Sequence, residues 1–401
     1  MEASPVHETR PAAGSSRRYY IDWLRVLAVL LLFPFHVSRV FNSGEAFYVK
    51  SAHLSDALNY VLSFISVWHM QLLFLLAGTS TYYALRKRSG GQYLFERVKR
   101  LLVPFVFGFF VLIPPQTWYG ARFNSGYTDS FWHYLSSGDF LVFNVQDGGD
   151  YYGGFGVGQL WFIFVLFLIS IIVLPLLLWG RTERGGRMMS AFARRLGNPA
   201  WWLLPPFLIM VGNALPELEK RPLYYLVFFL LGWVIMFDDW FIDAAVRHRW
   251  PALVVGAGLA LLWVFSADLR DSQPDPSLPR AALDYLGMSA TWLVLVGLLG
   301  CGKRYLDRTS PALGYLAEGS YPVYILHQTV IVVIAFYLVG IPGPGWVQWL
   351  ALLATSVVGT FALYEVVRRV APLRFLFGMR RRRIAAVSSR QAPRPGSAAE
   401  A

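Results

Sequence analysis

Four ionisable residues, Asp22, Arg25, His36 and Arg39, mark the first apolar run of this chain. The segment reads Arg18-Tyr-Tyr-Ile-Asp22-Trp-Leu-Arg25, and apolar residues then lead to His36 and Arg39. Arg25 and His36 are eleven residues apart. On a helix that separation turns about 1100°, about 20° past three full turns, and rises about 16 Å. Both side chains therefore lie on one face. Asp22 precedes Arg25 by one turn on the same face and can pair with it. An ionisable group inside a membrane span costs several kcal/mol unless it faces a bundle interior or a wet cavity. The stripe Asp22, Arg25, His36 is thus expected to line a polar path. A structural alternative is an Asp22–Arg25 pair at the interface and a histidine satisfied by a carbonyl, but three such residues on one stripe favour function. Histidine is suited to take a proton near neutral pH. His36, about 24 Å along the helix from Tyr20, could activate a hydroxyl arriving from outside.

Further candidates follow. Glu96-Arg97-Val-Lys99-Arg100 places Arg97 and Arg100 one turn apart, and two planar guanidinium forks can grip one phosphate together. Lys99 reads as an ordinary basic flank. Gly319-Ser-Tyr-Pro-Val-Tyr-Ile-Leu-His327-Gln328 puts Ser320, Tyr324 and His327 on one helical face, with Glu318 just before them. His69 and Gln71 form a weaker pair in the second span; His7, His53, His133 and His248 fall in tails or loops and need no role. No metal motif, glycine-rich nucleotide loop, G-x-S-x-G elbow or H-E-x-x-H is present, so the site holds no metal and the common hydrolase and zincin classes are set aside.

The elements that must carry these residues are membrane helices. Of 401 residues, 56% are hydrophobic, 16% aromatic and 15% charged, whereas a soluble domain carries about 25% charge. Lipid is the expected solvent. The net charge of +12 arises from short basic runs between apolar segments, a pattern of loops and not of a nucleic-acid face, so no nucleic-acid partner is expected. The single cysteine, Cys301, excludes an internal disulfide. The first apolar run is too long for a signal-peptide core and lacks an A-x-A-like site, so it reads as a retained helix.

Apolar stretches of about 20 residues give an all-α polytopic membrane bundle of about ten helices. They fall near 20–41, 58–85, 101–118, 159–180, 200–214, 222–237, 250–267, 283–301, 314–339 and 346–367. Ten spans put both termini in the cytoplasm. On that topology inner segments hold 28 of the 36 Lys and Arg and outer loops hold six, with Arg25 and Arg39 in the first span. This is the asymmetry of the positive-inside rule. The organisation is a cytoplasmic tail over 1–19, a transmembrane domain over 20–378 and a disordered basic tail over 379–401, which includes four consecutive arginines and would touch anionic lipid. The outer loop 119–158 is rich in glycine and aromatics and carries Asp129, Asp139, Asp147 and Asp150. It suits a polyhydroxylated ligand or a lid in equal measure.

With these residues in place, the chain resembles the acyltransferase-3 family of membrane acyltransferases. The resemblance rests on Asp22-x-x-Arg25 with ten residues before His36, on Arg97-x-x-Arg100, and on Ser320-Tyr-Pro-Val-Tyr-Ile-Leu-His327. His69-Met-Gln-Leu-Leu-Phe-Leu-Leu-Ala-Gly78 and Gln159-Leu-Trp161-Phe add to it. The ending Leu363-Tyr-Glu365 through Phe377 is similar to the glucan biosynthesis protein C group. The likeness spans about residues 18–378. Gln159 stands where members often carry histidine, and Ala77 where serine is usual. The resemblance implies transfer of an acyl group, succinyl or acetyl, from cytoplasmic acyl-CoA to a hydroxyl of an extracytoplasmic carbohydrate such as a glucan, at the inner membrane. His36 would be the base, with Arg25 steadying the donor and Asp22 orienting Arg25. Arg97 and Arg100 would hold CoA phosphates, and His327, Ser320, Tyr324, Trp161 and His69 would line the substrate path. An acyl-histidine intermediate and a homo-oligomer are both compatible with the sequence. The rival class is a transporter or flippase for a polar or anionic substrate, for which buried ionisable residues are equally natural. No corresponding pair of broken helices marks the two halves.

Overall fold

The computed structural model describes residues 18–141, 149–214 and 221–380. Expectations for 1–17, for Asp147 and for 381–401 lie outside the described residues. Helices dominate, and among the described residues the only β-type pairing is a bridge between Asn42 and Ser55. Helical structure occurs at each of the ten expected segments. Six stretches are long and apolar enough to span: Tyr19–Phe41, Asp56–Arg86, Gly90–Asn124, Leu278–Tyr305, Pro311–Leu338 and Gly345–Arg369. A seventh, Trp240–Arg247 with Arg249–Phe265, is bent by 73°. The protein is a multi-pass, all-α membrane protein.

Helix α1 (Tyr19–Phe41) packs against three late helices, α16 (Leu278–Tyr305), α17 (Pro311–Leu338) and α18 (Gly345–Arg369). Its stripe therefore faces protein on most sides, which is what lets the chain tolerate Asp22, Arg25 and His36 within an apolar run.

The segment expected as one helix over 58–85 is two, α2 (Asp56–Ser66) and α3 (His69–Arg86). The break frees carbonyls that lipid could not satisfy, and side chains take them up. Gln71 donates to the Ser66 carbonyl at 3.2 Å, and Thr291 of α16 donates to the Val67 carbonyl at 2.8 Å. Helix α3 then pairs tightly with α12 (Pro222–Val234). A Cβ on Gly78 would meet the Phe229 carbonyl at 2.0 Å, and one on Gly232 would meet the Leu75 carbonyl at 2.0 Å. Only glycine permits that approach, the small-residue packing by which membrane helices gain dispersion contact without a hydrophobic drive.

The third expected span begins earlier than residue 101. Ser89 and Gln92 form a capping box that starts α4 (Gly90–Arg97). A π-helical turn, Val98–Leu102, follows and leads into α5 (Val103–Val111) and α6 (Ile113–Asn124). Pro104 and Pro114 sit in the first turns of α5 and α6, where a missing amide proton costs no helical bond. The π-turn contains Arg100 and is flanked by Arg97, at the place where the chain has to present both.

Candidate active site

Two cavities open into the bundle, one at each end of the α1 stripe. The first, about 720 Å³, contains Asp22, Arg25, Arg97 and Arg100. Arg25 bonds Asp22 at 3.1 Å and donates to Ser80 at 2.7 Å. The expected Asp22–Arg25 pair is present, and α3 supplies a second anchor through Ser80. Arg97 donates to Thr81 of α3 at 2.9 Å and lies 4.6 Å over the Tyr93 ring. Glu96 is shared, 3.1 Å from Arg88 and 3.9 Å from Arg100. Among the described residues Arg97 has no carboxylate partner, and the buried Tyr321 hydroxyl, also in this wall, has no partner at all. The cavity thus presents donors and positive charge with few acceptors, a chemistry that suits an anion.

The second cavity, about 540 Å³, contains His36, Trp161, Gln159 and Gln328. His36 is half-buried and flanked by the aromatic rings of Phe35 and Phe47. Its ring stacks on Phe47 at 6.2 Å and lies 5.1 Å from the ring of His327, and its Nδ1 is buried with no partner. The rim is built from Arg39 and Glu45, 2.6 Å apart, and from the turn Gly149–Tyr152. That turn is fastened by Asp150, which accepts from the Tyr48 hydroxyl at 2.5 Å, and by Asn124, which donates to the Tyr151 carbonyl at 2.8 Å. Burial and the Asp150 carboxylate both push the Tyr48 hydroxyl well above the usual phenol range, so it remains a donor. Of the loop acids, Asp150 reaches the cavity, whereas Asp139 accepts from Tyr127 and Asp129 lies 3.6 Å from His133. Lys50, bonded to Asn42 behind the rim, is lowered to about 8 by burial first and then by the Arg39 charge.

Tyr324 lines both cavities. Its hydroxyl donates to the Gln159 carbonyl. Behind it runs a buried amide network: Gln116 donates to Gln159 at 3.0 Å and to Thr329 at 2.8 Å, and Gln328 donates to Gln116 at 3.0 Å. Gln159 in turn donates to the Ile325 carbonyl at 2.8 Å. Satisfied networks of this kind in a low-dielectric interior fix one arrangement of the groups they join. Gln159 thus uses both ends of its amide, accepting from Gln116 and donating to the Ile325 carbonyl.

The remaining sequence candidates divide. His327 stands beside His36, but its Nδ1–H donates to the Tyr324 carbonyl at 2.6 Å. A carbonyl only accepts, so a neutral His327 presents its buried, unpartnered Nε2 as a lone pair. Ser320 lies in the Arg25 cavity and donates to the Leu316 carbonyl at 2.8 Å. His69 lines neither cavity; its Nε2–H donates to the Ala28 carbonyl at 2.7 Å, tying α3 to α1. In this structure it makes a helix-to-helix contact. Met379 and Arg380, expected to begin a disordered tail, instead line the Arg25 cavity. Sequence reasoning missed Tyr48, Gln116 and Arg88. Of these Gln116 left a signal, an amide within an apolar span.

Residues 18–365 match the acyltransferase domain family, acyltransferase-3. The chain belongs to that family. It is a membrane acyltransferase. Among curated relatives it is similar to glucans biosynthesis protein C of Escherichia coli, in strain SMS-3-5, strain K12 and serotype O157:H7 alike. Each is 23% identical over 399 residues, covering 90% of this chain and 94% of the relative. No solved structure matches.

Proposed function

We propose that this acyltransferase moves an acyl group, succinyl or acetyl, from acyl-CoA in the Arg25 cavity to a carbohydrate hydroxyl, such as one of a glucan, in the His36 cavity. The observation that carries this reading is the pair of cavities at opposite ends of one helix, with Tyr324 as their common wall. A donor and an acceptor that approach from opposite sides of a membrane need such an arrangement. The positive charge of the first cavity suits CoA phosphates, and the aromatic, hydrogen-bonding walls of the second suit a sugar. The relatives' name refers to glucans, in keeping with that acceptor class.

The donor's phosphates lie against Arg97 and Arg100, with Arg25 steadying the arm that carries the thioester. That arm follows the stripe, about 16 Å long on helix rise, past Tyr324. A ring nitrogen of His36 takes the proton of the acceptor hydroxyl. The oxygen attacks the thioester carbonyl, the carbon–sulfur bond breaks, and the proton returns to the departing thiolate. General-base help of this kind is worth about 10²–10⁴-fold. With both termini in the cytoplasm, as we propose, the Arg25 cavity would face the side where acyl-CoA is made. The distribution of Lys and Arg supports that orientation.

The test uses purified protein, succinyl-CoA or acetyl-CoA, and a glucan. Acylated glucan is read by mass spectrometry and released CoA by a thiol reagent. Wild type should yield both in equal amounts and His36→Ala neither above background. Undiminished transfer by His36→Ala would sink the mechanism.

A further inference from the structure

The Arg25 cavity has a wall that comes from the far end of the chain. After α18 the chain turns into the short helix α19 (Ala371–Leu376), and Gly378, Met379 and Arg380 then run along the cavity. This strap is firmly fastened. Arg374, only 7% exposed, donates to Glu318 at 2.9 Å, to the Arg368 carbonyl at 3.0 Å and to the Arg380 carbonyl at 2.6 Å. The Met379 amide donates to the Arg374 carbonyl at 2.8 Å, and Phe377 packs on Phe107 at 5.4 Å. Gly378 has φ +65°, and a Cβ there would come within 3.0 Å of the Arg100 carbonyl. The strap thus passes directly over the π-turn that bears Arg100.

What this delivers is one more cation. Arg380 lines the same cavity as Arg100, and among the described residues Arg380 has no carboxylate partner. Within the cavity Asp22 is engaged by Arg25, Glu96 is divided between Arg88 and Arg100, and Glu318 is engaged by Arg374 and Arg368. Arg97 and Arg380 are left uncompensated beside Arg100. Bringing like charges together costs energy that only an anion between them returns.

We propose that the C-terminal strap is part of the donor site, with Arg380 holding, together with Arg97 and Arg100, the phosphate groups of a polyanionic thioester donor. This rests on the reading of the Arg25 cavity as the donor site. Glu318, through Arg374, is the positioning residue for Arg380. A phosphate could also come from a lipid headgroup, and the experiment separates the two sources.

Binding of coenzyme A is titrated to the full chain in non-ionic detergent free of phospholipid, for wild type, Arg97→Ala/Arg100→Ala, Arg380→Ala, Arg380→Lys and Glu318→Gln. The loss of one charge-assisted contact corresponds to about tenfold weaker binding. Arg380→Ala should show that loss, Arg380→Lys should recover part of it, and Glu318→Gln should weaken binding less than Arg380→Ala. The ionic-strength dependence of binding should be shallower in Arg380→Ala, which damage to the fold alone would not produce. If Arg97→Ala/Arg100→Ala abolishes binding while Arg380→Ala binds like wild type, the strap proposal falls and the donor-site reading stands. If the double variant binds like wild type, both fall. An Arg380→Ala effect seen only in vesicles containing anionic lipid, and not in detergent, assigns the residue to headgroups and likewise overturns the proposal.

Discussion

Arg25 and His36 share one stripe of α1 yet open into different cavities. On the proposed function, donor chemistry at one and proton transfer at the other would meet where the cavities adjoin, at Tyr324.

Tyr324→Ala should remove the common wall and admit water to the thioester. Thiol release without acceptor should rise severalfold, and the ratio of released CoA to acylated product should climb above one. Tyr324→Phe keeps the ring and loses only the bond to the Gln159 carbonyl, so its ratio should remain near one. Parallel thiol and mass-spectrometric assays read both values; an unchanged ratio in Tyr324→Ala would mean that the ring does not separate the cavities.

Arg97→Lys retains the charge while losing the fork that bonds Thr81 and lies over Tyr93. A lysine is a point charge on a flexible stem and cannot reproduce that planar contact. The KM for acyl-CoA should rise about tenfold, equivalent to about 1.4 kcal/mol, with KM for the acceptor unaltered. Steady-state kinetics with each substrate varied in turn decides it.

His69→Leu should act on stability. It deletes the donor to the Ala28 carbonyl, worth about 1 kcal/mol, and lowers the melting temperature in detergent by a few degrees. Transfer measured below that temperature should keep KM for the acceptor within about twofold of wild type. A large rise in that KM with unaltered melting would return His69 to the substrate path.

Lys50 gives a pH dependence with a defined sign. Its folded value is lowered to about 8 from the ordinary 10.5, so the unfolded chain binds more protons between those limits and stability rises with pH across that window. The contribution is fully present above the unfolded value and is lost as pH falls through about 8. Because the ammonium is partly exposed, solvent screening keeps the effect small. The melting temperature of wild type minus that of Lys50→Met should increase between pH 7.5 and 9.5; a flat difference would show that Lys50 is charged throughout.

Much of this was legible because charge in an apolar run is costly and so stands out. Asp22, Arg25 and His36 define a stripe by spacing alone, and Arg97 with Arg100 mark the entry to the next span. The break between α2 and α3 was not legible. It depends on Thr291, over two hundred residues away, accepting responsibility for the Val67 carbonyl. The pairing of Tyr48 with Asp150 is equally non-local, joining residues 102 apart. His69 shows the opposite case: its residue type suggested chemistry, and its bond to the Ala28 carbonyl adds a helix contact that spacing does not show. Arg380 opens a run of four arginines, and nothing in that composition marks it as part of the cavity wall.

The two arginines that line the cavity from α1 and from the end of α4 both lean on α3, Arg25 on Ser80 and Arg97 on Thr81. The seat of α3 is set in turn by Gly78 and Gly232 against α12. A methyl group added at Gly78, a site outside both cavities, would therefore move both supports at once. In a screen for loss of acyl transfer, such a lesion would masquerade as a defect in donor recognition, and its compensating changes would map to α12.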